Sequence, residues 1–477
     1  MSNRNDNLAM SRIARLLDDN SFMEVGSLVT ARSTDFNLDE TKAPSDGVIV
    51  GHGLIDGNLV FVYSQDVSVL NGTIGEMHSK KIASVYDKAM KMGAPVIGLI
   101  DCAGVRLQES VDALAGLGTI FEKQTKASGV VPQITAVFGS CGGGLAFLPA
   151  LSDFVFMEEK GKLFVNAPNT LDGNRVEVCD TSAADYQRKE SGMVDGVGTE
   201  EEILTKMREL IALLPSNSRD TRVIDSCEDS LNRACRNLDG SKGDTRYILS
   251  EISDNHIFFE TKTAYAGEMV TGFIKLNGLT VGTIANSTEI NDMDGNKIEE
   301  FDPVLSARGC GKAADFISFC DAYDIPVLSL TNVEGYKATL CSERTMAKAA
   351  GRMVAALSGA TVPKVNLIVG NAYGSAYVVM NSKTVGADLV YAWPEAKIGT
   401  MEAQMAAKIM YPEASAEVLS EKAAEFEALQ DSVKTAAARG YVDLIIEPSE
   451  TRKYMIAAFE MLYSKQVDIP DKKHRTI

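Results

Sequence analysis

The sequence predicts an α/β protein made of two related domains. Its length of 477 residues exceeds what a single hydrophobic core commonly supports. A pattern of lysine, proline and glycine also recurs without a gap, 231 residues further along the chain. The matched pairs are Lys81 and Lys312, Pro95 and Pro326, Gly104 and Gly335, Pro132 and Pro363, and Gly139 and Gly370. We therefore expect two domains, residues 1–240 and residues 241–477.

Each predicted domain contains a β-hairpin near its start. Asp56-Gly57 separates two apolar runs in the first half, and Asn277-Gly278 separates two in the second half. Asp-Gly and Asn-Gly favour the tight two-residue turns that match the twist of paired strands. A hairpin at the same place in both halves supports a duplicated architecture.

A helix and a buried strand are predicted after each hairpin. Apolar residues from Ile82 to Met90 share one helical face, and Gly93 is placed to end that helix. Residues 96–101 and 327–332 are apolar runs of the length of a buried strand. Helices alternating with such strands are typical of a mostly parallel sheet.

A turn of small residues follows the next predicted strand in each half. Gly142-Gly143-Gly144 occurs in the first half, and Gly374-Ser375-Ala376 occurs at the matched place in the second. Without bulky side chains, such a turn exposes backbone N–H groups to an approaching carbonyl oxygen. Donors fixed in this way stabilise an oxygen that becomes negative during a reaction. The sequence therefore predicts two oxyanion-binding turns in one enzyme.

Composition narrows the class of partners. The net charge of −18 argues against a nucleic-acid partner, since no basic stripe is available to replace phosphate counterions. Eight cysteines include no C-x-x-C pair, and the four histidines have no companion at metal-ligand spacing, so we expect no metal site. No apolar run approaches the roughly 18 residues that a membrane-spanning helix needs. We expect a cytoplasmic protein.

One short motif matches a biotin attachment sequence but lies in a different structural context. Ala89-Met90-Lys91-Met92 matches the tetrapeptide around the biotinylated lysine of carrier domains. Here it ends a predicted amphipathic helix, whereas carrier lysines lie at the tip of a β-hairpin. We therefore expect no biotin bound covalently to this chain.

Several longer stretches carry a resemblance to a known family. They are residues 63–66, 93–99, 127–134, 149–154, 319–322, 372–377 and 391–394. Over nearly the whole chain the sequence resembles the carboxyltransferase subunits of biotin-dependent acyl-CoA carboxylases and decarboxylases. It is most similar to propionyl-CoA carboxylase β chains and the carboxyltransferase subunit of methylmalonyl-CoA decarboxylase.

The resemblance implies a fold and an assembly. The fold is a tandem pair of crotonase-like (ClpP/crotonase) α/β domains, usually assembled as a hexamer made of two trimers. The first domain would bind acyl-CoA and the second carboxybiotin, and the reaction would take place where the first domain of one chain meets the second domain of another.

The resemblance also implies roles for individual residues. Gly143 and Gly144 would hold the thioester oxygen of the enolate, and Ser375 and Ala376 would hold the ureido oxygen of biotin. Further substrate contacts would come from Ala103, Gly104, Val105, Gly335 and Val378.

The implied cofactor is biotin carried by a separate biotin carboxyl carrier protein, with a short acyl-CoA of the propionyl or methylmalonyl class as the substrate. A biotin carboxylase as the third component would give a carboxylase. A membrane decarboxylase subunit would instead give a decarboxylase, with this chain at the periphery of a membrane complex. The sequence leaves the direction and the acyl chain length open.

Two other functions stay open at this point. A crotonase-type hydratase or isomerase would share the first turn but would need a carboxylate base, such as Glu109 or Glu334. A non-catalytic paralogue is suggested by residues 337–344, which are polar where the family is rich in glycine.

Overall fold

A computed structural model describes residues 7–32, 36, 42–220, 224–292, 295–468 and 470. The chain separates into two units, Met1–Thr221 and Arg222–Ile477. Residues that follow the division pack on the second unit, because Ile224 pairs with Leu279 and the Cys235 N–H donates to the Ser449 carbonyl at 2.8 Å. The assignment of residues 1–240 to acyl-CoA and residues 241–477 to carboxybiotin stays a prediction.

The first unit consists of one mixed sheet and its surrounding helices. Its strands are β1 (Met23–Val25), β2 (Val48–Ile55), β3 (Asn58–Gln65), β4 (Val96–Cys102), β5 (Gln133–Gly142), β6 (Phe154–Glu158), β7 (Lys162–Phe164) and β8 (Gly196–Gly198). Its helices are α1 (Leu8–Leu16), α2 (Glu76–Met92), α3 (Ser110–Ala127), α4 (Phe147–Ala150), α5 (Ala184–Tyr186) and α6 (Glu200–Leu213).

The second unit repeats this plan with additional elements. Its strands are β9 (Phe258–Thr261), β10 (Met269–Leu276), β11 (Leu279–Asn286), β12 (Glu289–Asn291), β13 (Lys297–Glu300), β14 (Val304–Leu305), β15 (Val327–Val333), β16 (Gly335–Tyr336), β17 (Lys364–Tyr373), β18 (Leu389–Ala392), β19 (Lys397–Gly399) and β20 (Leu444–Ile445). Its helices are α7 (Thr245–Ile252), α8 (Ala307–Ala322), α9 (Leu340–Glu343), α10 (Met346–Gly359), α11 (Gly374–Val379), α12 (Ala403–Met410), α13 (Ala416–Phe426), α14 (Val433–Ala438) and α15 (Thr451–Leu462).

The two eight-stranded sheets have the same strand order. The first runs β1-β2-β3-β4-β5-β6-β8 with β7 paired to β5, and the second runs β9-β10-β11-β15-β17-β18-β20 with β19 paired to β17. The first three strands of each are antiparallel, and the later pairs are parallel. This confirms the predicted duplication and the mostly parallel α/β class.

The predicted hairpins, helix end and buried strands are confirmed. Asp56-Gly57 and Asn277-Gly278 have positive φ at both residues, as a tight hairpin turn requires. Helix α2 ends at Gly93, whose φ of 65° is left-handed. Every residue of β4 and β15 is buried, as expected for strands covered on both faces.

The units differ after their central strands. Between β19 and β20 the second unit has three helices, α12, α13 and α14. Between β7 and β8 the first unit has one helix, α5, in a stretch whose residues the structure describes throughout. The extra helices contribute to the lining of the cavity described below.

Candidate active site

The first glycine turn lies at the end of β5. Gly143 has a φ of 65° and begins a short 3-10 turn that continues into α4. A side chain added at Gly143 would meet nothing within 4 Å, and one at Gly144 would meet Leu117 at 3.4 Å. The first N–H groups of such a turn have no partner inside it. Open backbone is therefore available to a ligand here.

The second glycine turn has the same geometry. Gly374 follows β17, has a φ of 61° and begins α11. The 231-residue spacing pairs it with Gly143, so both turns begin with a left-handed glycine at the equivalent position. Ser375 is exposed, whereas Ala376 is buried, so only part of this turn is open to solvent.

The strand next to each turn ends in a second loop. Cys102 pairs with Cys141, and Val333 pairs with Ala372, each after a register shift. Because the carboxyl ends of neighbouring parallel strands lie at one edge of a sheet, the loop after β4 lies beside the first turn and the loop after β15 beside the second. The structure thus groups the predicted site residues by unit: Ala103, Gly104, Val105, Gly143 and Gly144 in the first, and Gly335, Ser375, Ala376 and Val378 in the second.

The loop after β4 is tied to the fold through its own backbone. The Gly104 carbonyl accepts from the Ile74 N–H at 3.0 Å, and the Arg106 N–H donates to the Ile74 carbonyl at 2.9 Å. The Ala103 N–H donates to the Asn71 carbonyl at 3.1 Å, so it is not a spare donor for a ligand. In the second unit the equivalent loop forms β16, which pairs with β14.

A buried ion cluster holds this first loop in place. The guanidinium of Arg106, 1 % exposed, contacts Asp46 at 2.6 Å and Glu109 at 2.7 Å. The second carboxylate oxygen of Glu109 accepts the Glu76 N–H at 2.5 Å. Arg106 is therefore a framework residue. Glu109 is fully engaged and does not face a substrate as a free base.

The other candidate base, Glu334, lies near the second turn. It is exposed, and its carboxylate accepts from the Asn371 side-chain amide at 2.7 Å. Asn371 lies on β17, shortly before Gly374, so this amide holds the Glu334 side chain against the end of the strand.

A cavity of about 620 Å³ opens beside the second turn. Tyr377 and Val378 of α11 form one side, and Gly399 and Thr400 form another. The additional helices and the turns that join them supply mainly apolar and aromatic lining, including Met410, Tyr411, Phe426, Leu429 and Tyr441. Mostly apolar concavities with a few polar groups are typical of small-molecule sites.

Sequence reasoning identified Val378 but missed the rest of this cavity wall. The segment from α12 to α14 is longer and more helical than the corresponding segment of the first unit, so the repeat could not indicate it. The sequence contains one signal of this wall: the apolar residues Met405, Ile409 and Met410 of α12. The structure leaves all three exposed.

Side chains near the turns offer little nucleophilic or basic chemistry. Burial raises the pKa of the Cys102 thiol to about 11, and it raises the pKa of Cys141 further. Burial lowers the pKa of His78 to about 3, so this imidazole stays neutral. Within the described residues, no group of three His, Cys, Asp or Glu side chains could hold a metal ion. The groups that both turns offer to a ligand are therefore backbone N–H donors.

Among the described residues, none of the helices is long and apolar enough to cross a bilayer.

Comparisons with known proteins show which family this chain belongs to. Residues 2–477 match the family described as carboxyl transferase domain. The chain is 37% identical over 484 residues to the propionyl-CoA carboxylase beta chain of Roseobacter denitrificans, covering 98% of this chain and 93% of that protein. It is also 37% identical over 488 residues to methylmalonyl-CoA decarboxylase subunit alpha of Propionigenium modestum, covering 98% and 92%.

A solved structure shows the same fold. Transcarboxylase 12S, a hexamer crystallised with methylmalonyl-coenzyme A and methylmalonic acid bound, superposes with a TM-score of 0.91 at 34% sequence identity. The superposition covers 98% of this chain and 92% of that chain. This confirms the tandem crotonase-like architecture that the resemblance implied. The family match over nearly the whole length and the level of identity lead to one conclusion: the chain belongs to the carboxyl transferase family.

Proposed function

We propose that this protein moves a carboxyl group between carboxybiotin on a separate carrier protein and a short acyl-CoA of the propionyl or methylmalonyl class. The observation that carries the proposal is the pair of equivalent turns, each beginning with a left-handed glycine and each at the carboxyl end of a central strand. One turn is available for each of the two oxygens that become negative during such a transfer.

The first turn would serve the acyl-CoA. In this proposal the N–H groups of Gly143 and Gly144 donate to the thioester oxygen and stabilise the enolate formed when the α-proton leaves. Ala103, Gly104 and Val105 border the same strand ends and would contact the substrate. One such donor contributes on the order of 2.7–4 kcal/mol to transition-state stabilisation, so a pair carries much of the catalysis without a nucleophilic side chain.

The second turn and its cavity fit a biotin ring. Ser375 and Ala376 would donate N–H groups to the ureido oxygen, and the apolar cavity wall suits the fused rings. When bound, carboxybiotin supplies the carbon dioxide and a ureido nitrogen that takes up the α-proton. Gly335 borders this turn, and Val378, 38 % exposed, presents an apolar surface suited to a short acyl group.

The proposal includes partners. A biotin carboxyl carrier protein would deliver the biotin, and either a biotin carboxylase or a membrane decarboxylase subunit would set the direction of transfer. We further propose a homo-oligomer, with a hexamer of two trimers as the expected state, and a cytoplasmic location.

The direct test is a decarboxylation assay. The purified protein is mixed with methylmalonyl-CoA or malonyl-CoA and with free biotin or biotinylated carrier. Loss of the carboxylate from the acyl group of the thioester is then followed. We expect turnover that requires biotin. Absence of turnover on every short malonyl-type thioester would contradict the proposal, and biotin-independent hydration of crotonyl-CoA would favour a hydratase instead.

A matched pair of variants tests whether the first glycine turn takes part in the reaction. Gly144→Ala adds a methyl group that the fold accommodates but that stands where the thioester oxygen would approach, so kcat should fall at least about tenfold. Gly118→Ala is the control, since Gly118 lies exposed on α3 and an added Cβ there meets nothing within 4 Å. Equal activity of the two variants would exclude the first turn.

A further inference from the structure

Asp431 is an unusual polar residue of the second unit. It is 1 % exposed, yet neither carboxyl oxygen has a hydrogen-bond partner among the described residues. Buried polar groups are almost always paired, so an unpaired carboxyl requires an explanation. None of the roles assigned above uses this residue.

The backbone around Asp431 fixes its place. It ends a π-helical turn, Glu427–Asp431, that follows α13. The next residue, Ser432, forms an antiparallel bridge with Lys397 at the start of β19. The Asp431 carboxyl then lies directly against Gly399, which has no space for a Cβ on that side. Asp431 and β19 therefore form one packed element.

This element supports the cavity wall. Gly399 pairs with Tyr373, the residue before the second glycine turn. Gly399 and Thr400 both line the cavity, whereas Asp431 does not. A Cβ on Gly374 would lie 3.3 Å from the Thr400 carbonyl oxygen, so the wall contacts the start of the turn. A shift at Asp431 would thus be transmitted to the wall and then to the turn.

The charged groups around Asp431 are mostly acidic. Glu427 lies on its own turn, Glu402 caps α12, and Lys397 of β19 is ion-paired to Glu427 at 2.7 Å. Burial, followed by the charge of Glu427, raises the pKa of Asp431 to about 6, and Lys397 opposes this shift. Burial and then the charge of Asp431 also raise the pKa of Tyr373.

We propose that Asp431 is a positioning residue whose carboxyl must be neutral to hold the Gly399–Thr400 wall against the second glycine turn. A neutral carboxyl tolerates contact with the Gly399 backbone. An ionised one without a partner draws water into the packing, because burying an unpaired charge is costly. This role rests on the proposed function only in assigning the cavity to biotin.

The first experiment needs no turnover. Hydrogen–deuterium exchange of the peptide spanning residues 397–402 is measured at about pH 5.5 and about pH 8, corrected for the intrinsic effect of pH. We expect protection in the wild type to fall at least about threefold at the higher pH, and Asp431→Asn, which cannot ionise, to show no such loss. The same loss in both proteins would overturn the proposal.

A second variant guards against misfolding of the first. Glu427→Gln removes a negative neighbour and frees Lys397, and both changes favour the ionised form of Asp431. The Glu427 side chain is 48% exposed, so the fold tolerates the change. We expect the midpoint of the protection loss to move to lower pH. An unmoved midpoint would contradict the proposal.

The kinetic experiment then tests the link to biotin. In the wild type, KM for free biotin should rise at least about threefold between pH 6 and pH 8 while kcat, extrapolated to saturation, changes less, and Asp431→Asn should keep KM flat. Altered exchange with an unaltered KM profile would overturn the link to biotin and leave the carboxyltransferase proposal intact. Failure of turnover in all variants would count against the proposed function, and the exchange result would still decide the role of Asp431.

Discussion

The strand ends beneath the two glycine turns are built alike in shape but differ in charge. In the first unit, Gly139 of β5 packs against the carboxylate of Asp101, and in the second, Gly370 of β17 packs against the side-chain amide of Asn332. Both contacts leave no space for a Cβ, and both pairs keep the 231-residue spacing. The shape of the junction is thus conserved between the units while its charge is not.

Each version satisfies its polar group in its own way. Asp101 pairs with the buried Arg12 at 3.1 Å, and Arg12 also contacts Glu200 at 2.9 Å and stacks on the Phe138 ring at 4.5 Å. The Asn332 side-chain oxygen instead accepts the Asn371 N–H at 3.0 Å, and its NH2 group donates to the Lys242 carbonyl at 3.3 Å. The Asn332 backbone exchanges hydrogen bonds with the Asn286 side chain. The backbone therefore requires a small hydrogen-bond acceptor at this point in both units. Where that acceptor is charged, as in Asp101, a buried arginine neutralises it.

Removing the cation should have the largest effect. Arg12→Ala leaves Asp101 buried without a partner, and breaking a buried pair in this way costs about 3–5 kcal/mol of unfolding free energy. Arg15→Ala is the matched control, because Arg15 pairs with Glu200 from a position 46% exposed and should change stability by less than about 1 kcal/mol. Chemical unfolding of both variants measures the difference. Similar losses would show that the Arg12–Asp101 pair is not special.

Filling the space beneath either turn should lower the free energy of unfolding by less than Arg12→Ala does. Gly139→Ala and Gly370→Ala each force a methyl group onto a polar side chain, and overpacking of this kind typically costs about 1–3 kcal/mol. The two losses should be similar, because the shape is shared. Thermal unfolding measures them, with Gly118→Ala as the control. A large loss in one unit alone would contradict the structural equivalence.

The two equivalent buried lysines, Lys81 and Lys312, should make the stability of each unit depend on pH. Lys312 donates to the carbonyls of Lys262 and Tyr265, and Lys81 donates to the carbonyls of Ser45 and Val48. Burial lowers the pKa of Lys312 to about 7 and that of Lys81 to about 8, against an ordinary value of 10.5.

Between each folded-state pKa and 10.5 the unfolded chain binds more protons, so stability rises with pH in that window. Lys312→Met should remove a rise that begins near pH 7, and Lys81→Met a smaller one that begins near pH 8. Unfolding midpoints of each variant, subtracted from those of the wild type at each pH, isolate the effect. A difference that stays constant with pH would contradict both shifts.

The repeat made much of this fold predictable, because it depends on backbone geometry. Left-handed turns and close backbone approaches favour glycine, so Gly57, Gly93, Gly143 and Gly278 could be placed from the sequence. The partners of buried charges could not, since the Arg12–Asp101 pair joins residues far apart in the chain. The helices that form the cavity wall were also missed, because they occur in the second unit alone and their exposed apolar residues have no counterpart to compare.

The smallest expected effect tests whether the two junctions can be exchanged. Asp101→Asn gives the first unit the side chain that the second unit already has, and Arg12 keeps its contact with Glu200, so the loss should be about 1 kcal/mol. In the Arg12→Ala background the same change should restore about 2 kcal/mol, because the uncompensated charge disappears. A double-mutant cycle by chemical unfolding measures this coupling. Additive losses would mean that the first junction requires its carboxylate for a reason other than the arginine, and that shape alone does not make the two units equivalent.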